Sequence, residues 1–339
     1  MTRTLIVTGA GGVGKTTVSA ALAVAAARSG RRTLALTVDP ARRLADALGI
    51  PGAGNDPVTT PEPNLSAAML DSAAAWEAIA LRHASPPTAA RLIASPYFRA
   101  VADRFPGGQA YAAGEEMLGH LESGRYDLIV VDTPPAQGGI EFFTAPRRVR
   151  SLVGGRILRW LTGARVPGRR AVYRLTARPA LRVADRILGT PLLEEVAEFL
   201  LDLRETYDGV TRRSRRLERH FKASLTIVVT TTDPAPLREA RRFFSVLPDV
   251  ASPPAAFVFN RTLPGSWAGA PAPPRDGPLE ANLRRWAAEA HRQAEARSEI
   301  EARYGIEVAT LPWVAEPPTD TDALASLLSG ASGLDKLFS

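Results

Sequence analysis

The chain is predicted to fold as a doubly wound α/β protein: a mostly parallel sheet between helices, with a helical subdomain inserted into it. Three observations predict this. Short, almost wholly apolar runs recur along the chain with helical stretches between them, as expected of strands buried on both faces of a parallel sheet. The first run, Thr4-Leu5-Ile6-Val7-Thr8, leads directly into a glycine-rich loop, and the loop into a long alanine-rich helix. Two long stretches, 72–123 and 147–221, carry helical patterning and no plausible strand.

In order, the candidate strands are Leu5–Thr8, Thr33–Val38, Leu65–Leu70, Leu128–Asp132, Leu225–Thr230, Ala256–Asn260 and Val308–Leu311. Pro51-Gly52-Ala53-Gly54 and the segment from Pro264 to Pro278 are proline- and glycine-rich and read as loops. The loop after the first strand reads Gly9-Ala10-Gly11-Gly12-Val13-Gly14-Lys15-Thr16, a complete G-x-x-x-x-G-K-[ST] phosphate-binding loop followed by Thr17. Its glycines let backbone N–H groups turn inward on phosphate oxygens, and the following helix presents its positive end to them. Lys15 is expected to neutralise the β/γ-phosphates and Thr16 to ligate Mg²⁺. A single P-loop ATPase domain over 1–339 follows, with a nucleotide core of 1–71, 124–146 and 222–339 and a helical insert of 72–123 and 147–221.

Two further strand ends bear on this chemistry. Asp39 follows the second strand and precedes Pro40, where a carboxylate can orient the attacking water or sense the γ-phosphate; the same Asp-Pro pair is also an ordinary turn. Leu128-Ile129-Val130-Val131-Asp132 ends an apolar strand on a carboxylate, the arrangement that holds Mg²⁺ directly or through water.

Composition narrows the rest. The chain has no cysteine, and its four histidines (His83, His120, His220, His291) lack ligand spacing, so no metal is expected beyond the Mg²⁺ that accompanies ATP. No apolar run reaches about 18 residues and no leader precedes the first strand, so a cytoplasmic protein is expected. The net charge is +7, yet Arg147 to Lys222 holds 19 basic and 8 acidic residues. The positive charge therefore belongs to the second insert, where an anionic membrane surface, an anionic protein or nucleic acid could use it.

Gly9–Thr17, Asp39-Pro40-Ala41 and Asp132-Thr133-Pro134-Pro135, in this order and spacing, resemble the arsenite-pump (ArsA-type) and tail-anchored-protein-targeting ATPases. The resemblance covers nearly the whole chain and is weakest in the inserts. It implies a dimeric ATPase in which Asp39 acts on water and Asp132 links Mg²⁺ to movement of the helical subdomain. The strand end Ala256–Arg261 and Leu311-Pro312-Trp313 also resemble that family's adenine-contacting segments, which assigns Asn260 and Pro312 to the nucleotide site.

The chain departs from the family at Ala10, where the resemblance implies a lysine reaching across the dimer to the partner's phosphates. Three explanations are open: a heterodimer with a lysine-bearing paralogue, charge supplied by Arg42 or Arg43, or slow hydrolysis by a nucleotide-gated switch. Ala136-Gln137-Gly138-Gly139 also replaces the family's Thr-Gly-His after the prolines. The lack of cysteine removes both the arsenite thiolates and the zinc clasp of the targeting dimer.

In the insert, Leu152, Val153, Ile157, Leu158, Trp160 and Leu161 alternate with Arg150, Arg156 and Arg159, the pattern of an amphipathic helix with a basic edge. Leu192, Leu193, Val196, Ala197, Phe199, Leu200, Leu201 and Leu203 form a more apolar helix. These faces either pack against each other or receive a hydrophobic or membrane-associated client. The alternative function is a partition-type ATPase holding DNA or an anionic membrane surface through the arginines. The long apolar stretches weigh against DNA, and only Lys336 is cationic between Asp320 and Ser339, so a C-terminal basic amphipathic helix for membrane cycling is not expected.

Overall fold

In a computed structural model the described residues are 2–39, 42–104, 107–134, 137–153, 192–270 and 277–331. Their strands are β1 (Arg3–Gly9), β2 (Thr33–Thr37), β3 (Val58–Thr59), β4 (Leu65–Met69), β5 (Leu128–Asp132), β6 (Leu225–Thr230), β7 (Ala256–Thr262) and β8 (Val308–Pro312). They form one sheet in the order β3-β4-β2-β5-β1-β6-β7-β8. All neighbours are parallel except β3 on β4, which closes one edge antiparallel. This is the doubly wound, mostly parallel α/β fold that the recurring apolar runs predict. The two-residue β3 was not foreseen, because a pair of residues is too short to carry a periodic signal.

The central strands are apolar on both faces because both faces are covered. Every residue of β2 and β5, and all of β1 after Arg3, is buried. Helix α1 (Lys15–Arg28) is buried around most of its circumference, which its alanines permit by allowing close approach to the sheet, and the short helix α2 (Arg43–Ala47) follows β2. Leu324 and Leu327 of the last described helix, Thr321–Ser329, join the same apolar cluster as Val18, Leu22 and Val24 of α1. Each fully buried Val, Leu or Ile contributes about 1.5–3 kcal/mol relative to exposure, so this cluster fixes the strand that delivers the P-loop.

The chain divides into two compact units: residues 1–70, 117–143 and 220–339, and residues 71–116 and 144–219. The first holds the sheet. The helices contributing to the second are α3 (Ser72–His83), α4 (Pro86–Ala94), α5 (Pro96–Arg104), α6 (Gly108–Glu122), α7 (Gln137–Val153), α8 (Leu192–Leu203) and α9 (Tyr207–Phe221), of which α6, α7 and α9 contain unit boundaries. Its core includes Trp76 set edge-on to Phe98 and tilted against Tyr111. Beside them lies a fully buried carboxylate, Glu115 (0% exposed). It accepts hydrogen bonds from the Tyr111 hydroxyl at 2.7 Å, from Arg82 at 3.3 Å and from Arg213.

Of the apolar residues expected along α8, Phe199 is buried and Val196, Ala197, Leu200, Leu201 and Leu203 are half-buried. The expected amphipathic helix with Arg156, Ile157, Leu158, Arg159, Trp160 and Leu161 lies outside the described residues, as do Pro40, Ala41, Pro135 and Ala136. Arg150 pairs with Glu218 at 2.8 Å and Arg147 with the same carboxylate at 3.9 Å, so part of this segment's positive charge is neutralised locally.

Candidate functional site

Parallel register brings the separated motifs to one level. Val7 of β1 and Thr37 of β2 both pair with Asp132 at the end of β5. The P-loop leaves β1 two residues beyond Val7, so the loop, the Asp132 carboxylate and the start of the Asp39 segment converge above the carboxyl ends of three adjacent strands, as expected of a doubly wound sheet.

Two glycines show why the loop sequence is what it is. Gly9 has φ 149, and a Cβ there would lie 2.0 Å from the Val229 carbonyl oxygen of β6. Gly14 has φ 91, and a Cβ there would lie 2.3 Å from Nδ2 of Asn260. Both positions combine a left-handed backbone with close packing that only glycine allows. Gly14 is also the N-cap of α1 and supplies no side-chain cap, which leaves first-turn N–H groups of the helix to a ligand.

Lys15 is buried and its Nζ donates to the Ala10 carbonyl at 2.8 Å. Burial lowers its pKa, an effect that the Asp132 carboxylate opposes. Asp132 is 1% exposed, and among the described residues its side-chain hydrogen bonds come from hydroxyls. Thr16 donates to Oδ2 at 2.8 Å, Thr37 to the same oxygen at 3.1 Å and Ser19 to Oδ1 at 3.3 Å. Burial pushes the Asp132 carboxyl up to about 6, against the hydrogen bond from Thr16. Hard oxygen donors, Thr16 and Asp132, thus meet beside a lysine and a phosphate cradle. This donor set fits Mg²⁺, which takes few protein carboxylates and completes its shell with water and phosphate oxygens.

Above these groups is a cavity of about 590 Å³, within the range of small-molecule sites. Gly11, Gly12, Gly14, Lys15, Thr16, Thr17 and Asp39, all assigned to the site from the sequence, line it. Arg43 also lines it, 3.8 Å from the Asp39 carboxylate, whereas Arg42 lies against Gly52 and is not among the lining residues. Gly9, Val13, Asn260 and Pro312 are not on the lining. Asn260 is buried; its amide nitrogen donates to the Val13 carbonyl at 2.8 Å and its carbonyl accepts the Arg261 N–H at 2.9 Å. It therefore braces the P-loop from behind. Ala10 is 3% exposed, with its methyl group in the apolar cluster.

Sequence reasoning missed Ser19 and Thr37 on Asp132, and Asp46, Ala47, Pro318 and Thr319 on the cavity; Thr133 and Arg261, also on the cavity, fell inside quoted motifs without a role of their own. Ser19 carried a usable signal: it lies three residues after Thr16 and so on the same face of α1. Thr37 could have been found only from the strand register.

A family model described as anion-transporting ATPase matches residues 2–271. An uncharacterized Streptomyces coelicolor protein is 36% identical over 195 residues, 57% of this chain and 46% of that protein. A Halobacterium salinarum protein named as an arsenical pump-driving ATPase is 32% identical over 154 residues, 43% of this chain and 24% of that protein. The Paramecium tetraurelia ATPase ASNA1 homolog 2 is 29% identical over 150 residues, 42% of this chain and 43% of that protein. The matched stretches thus span less than half the length of each of these relatives.

Proposed function

We infer, from the premise that the chain belongs to the anion-transporting ATPase family, that it binds and hydrolyses MgATP in the cavity above β1 and uses that cycle to move a helical client-binding unit. The observation that carries the reading is the meeting of Lys15, Thr16 and Asp132 under one phosphate cradle, with the carboxylate solvated only by hydroxyls. Bound Mg²⁺ would neutralise charge on the phosphate oxygens.

The chain's own groups do the rest. P-loop N–H groups and the first turn of α1 hold the phosphates in place. Lys15 exchanges the Ala10 carbonyl for the phosphate charge, a move its burial favours because the ammonium is otherwise poorly compensated. Asp39, half-buried at the cavity wall with Arg43 beside it, orients the attacking water. Asp132, Thr133 and Pro134 lead from the site toward α7, so loss of the γ-phosphate is felt at the start of that helix.

Ala10 bears on the assembly. A cationic finger in trans is worth about 10³–10⁵ in phosphoryl-transfer rate, and a buried methyl group supplies none of it. The dimer we propose is therefore a heterodimer with a lysine-bearing paralogue, the homodimer being its competitor. The half-buried apolar face of α8 suits a hydrophobic client. Among the described arginines of the insert, Arg147, Arg150 and Arg213 engage carboxylates, which supports a local role for that charge over a DNA-tracking surface.

Mg²⁺-dependent ATP turnover tests the reading. The chain alone is expected to turn over slowly, Lys15→Ala to abolish nucleotide binding, and Ala10→Lys to accelerate turnover at concentrations where the chain dimerises. No ATP binding at millimolar concentration would overturn the site assignment. Fast turnover by the chain alone, unaffected by Arg43→Ala, would overturn the need for a partner's cation.

A further inference from the structure

The end of β7 is irregular in a way that the reading above leaves unused. Its pairing with β8 slips between Phe259 and Thr262, and inside the slip Arg261 adopts φ 60. A residue with a Cβ takes this left-handed conformation only at a cost. The extra residue of a bulge breaks the alternation of the strand and re-aims a side chain. Here Asn260 and Thr262 stay buried while Arg261 is exposed and lines the cavity. The distortion is held in place: Oδ1 of the Asn260 side chain accepts the Arg261 N–H, and its Nδ2 donates to the Val13 carbonyl of the P-loop. Thr262 then resumes the sheet, accepting the Trp313 N–H and donating its hydroxyl to the Leu311 carbonyl. Among the described residues the Arg261 guanidinium has no hydrogen-bond or ion-pair partner.

Sheet order gives the direction. Lys15 and Thr16 mark the phosphate end next to β1, and Asp132 and Asp39 extend that end over β5 and β2. β7 and β8 lie on the opposite flank of β1, and Pro318 and Thr319, which follow β8, line the cavity with Arg261. A nucleotide with its γ-phosphate toward Asp39 places its nucleoside on this flank. The guanidinium is planar and donor-only. It cannot accept from the N6 amino group of adenine, whereas it stacks on any purine face.

We propose that Arg261 is the nucleoside anchor of this site, holding the purine by its face and so binding adenine and guanine nucleotides with little discrimination. This rests on the assignment of the cavity to a nucleoside triphosphate. The test is calorimetric titration of the full chain with MgATP, MgGTP and magnesium tripolyphosphate, which has the phosphates and no nucleoside. Arg261→Ala is expected to weaken ATP and GTP by a similar factor of about ten and to leave tripolyphosphate unchanged. Arg261→Gly, whose backbone suits φ 60, should behave the same and guards against a folding defect. Equal weakening of tripolyphosphate would make Arg261 a phosphate contact and overturn the proposal. So would loss of GTP affinity alone, which means reading of a base edge, or no change with any ligand. Wild-type chain that binds tripolyphosphate and neither nucleotide would instead overturn the nucleotide assignment itself.

Discussion

Two carboxylates are almost completely withdrawn from water, Asp132 in the sheet unit and Glu115 in the helical unit, and their surroundings are opposite. Glu115 receives two guanidiniums, Arg82 and Arg213, and the Tyr111 hydroxyl. Asp132 receives three hydroxyls from Thr16, Thr37 and Ser19, and Lys15, whose charge it feels, is bonded to a backbone carbonyl. A buried charge matched by fixed cations is complete in itself; one held by neutral donors retains a demand for positive charge. The first arrangement is architecture; the second has the donors that the proposed Mg²⁺ and phosphate site requires. Burial, opposed by the hydroxyl hydrogen bonds, pushes the Asp132 carboxyl up to about 6.

The comparison breaks most readily at Glu115. Glu115→Gln leaves two guanidiniums facing a neutral amide, and removing one partner of a buried ion pair costs about 3–5 kcal/mol. Denaturant unfolding should show that loss, with ATP affinity of the folded fraction unchanged; an equal loss of affinity would mean that Glu115 also serves the site. Asp132→Asn is the reciprocal experiment. It removes a buried charge that no fixed cation matches, so unfolding free energy without nucleotide should stay level or rise. Mg²⁺-dependent turnover should fall about 10²–10³-fold, or about 3–4 kcal/mol of transition-state stabilisation. A variant that loses stability and keeps turnover would reverse the roles assigned to the two carboxylates.

The sequence made one side of this contrast far more legible than the other. The P-loop and the strand ending in Asp132 are local patterns whose chemistry follows from residue type and order. Glu115, Arg82 and Arg213 lie on α6, α3 and α9, up to 131 residues apart, and nothing in their local sequence distinguishes them from a solvated helix face. Thr37 was hidden for the same reason: only the register of β2 on β5 puts its hydroxyl on Asp132. Asn260 was visible as a polar residue ending an apolar strand, yet its hydrogen bonds to Val13 and Arg261, and the bulge that turns Arg261 outward, are properties of packing. What the sequence shows is chemistry borne by contiguous motifs; what it hides is chemistry assembled by topology.

The smallest effect concerns the surroundings of Glu115. The arginines that satisfy it also bear on His83 at the end of α3, whose ring packs against Gly209 of α9. Burial, then the charges of Arg82, Arg213 and Arg212, lower the His83 pKa to about 4. Between that value and the ordinary 6.5 the unfolded chain binds a proton that the folded chain does not, so this group's contribution to stability falls as pH drops from 6.5 and levels off below 4. The full shift corresponds to about 3 kcal/mol, which solvent screening at a half-buried ring reduces to roughly 1 kcal/mol. Asp132 titrates over much of the same window with the opposite slope, since its raised pKa makes the folded state the better proton binder. His83→Gln should therefore be compared in the Asp132→Asn background, where the acid-side loss of stability should flatten. If it persists unchanged, neither burial beside α9 nor the arginines around Glu115 lowers the His83 pKa in the folded chain.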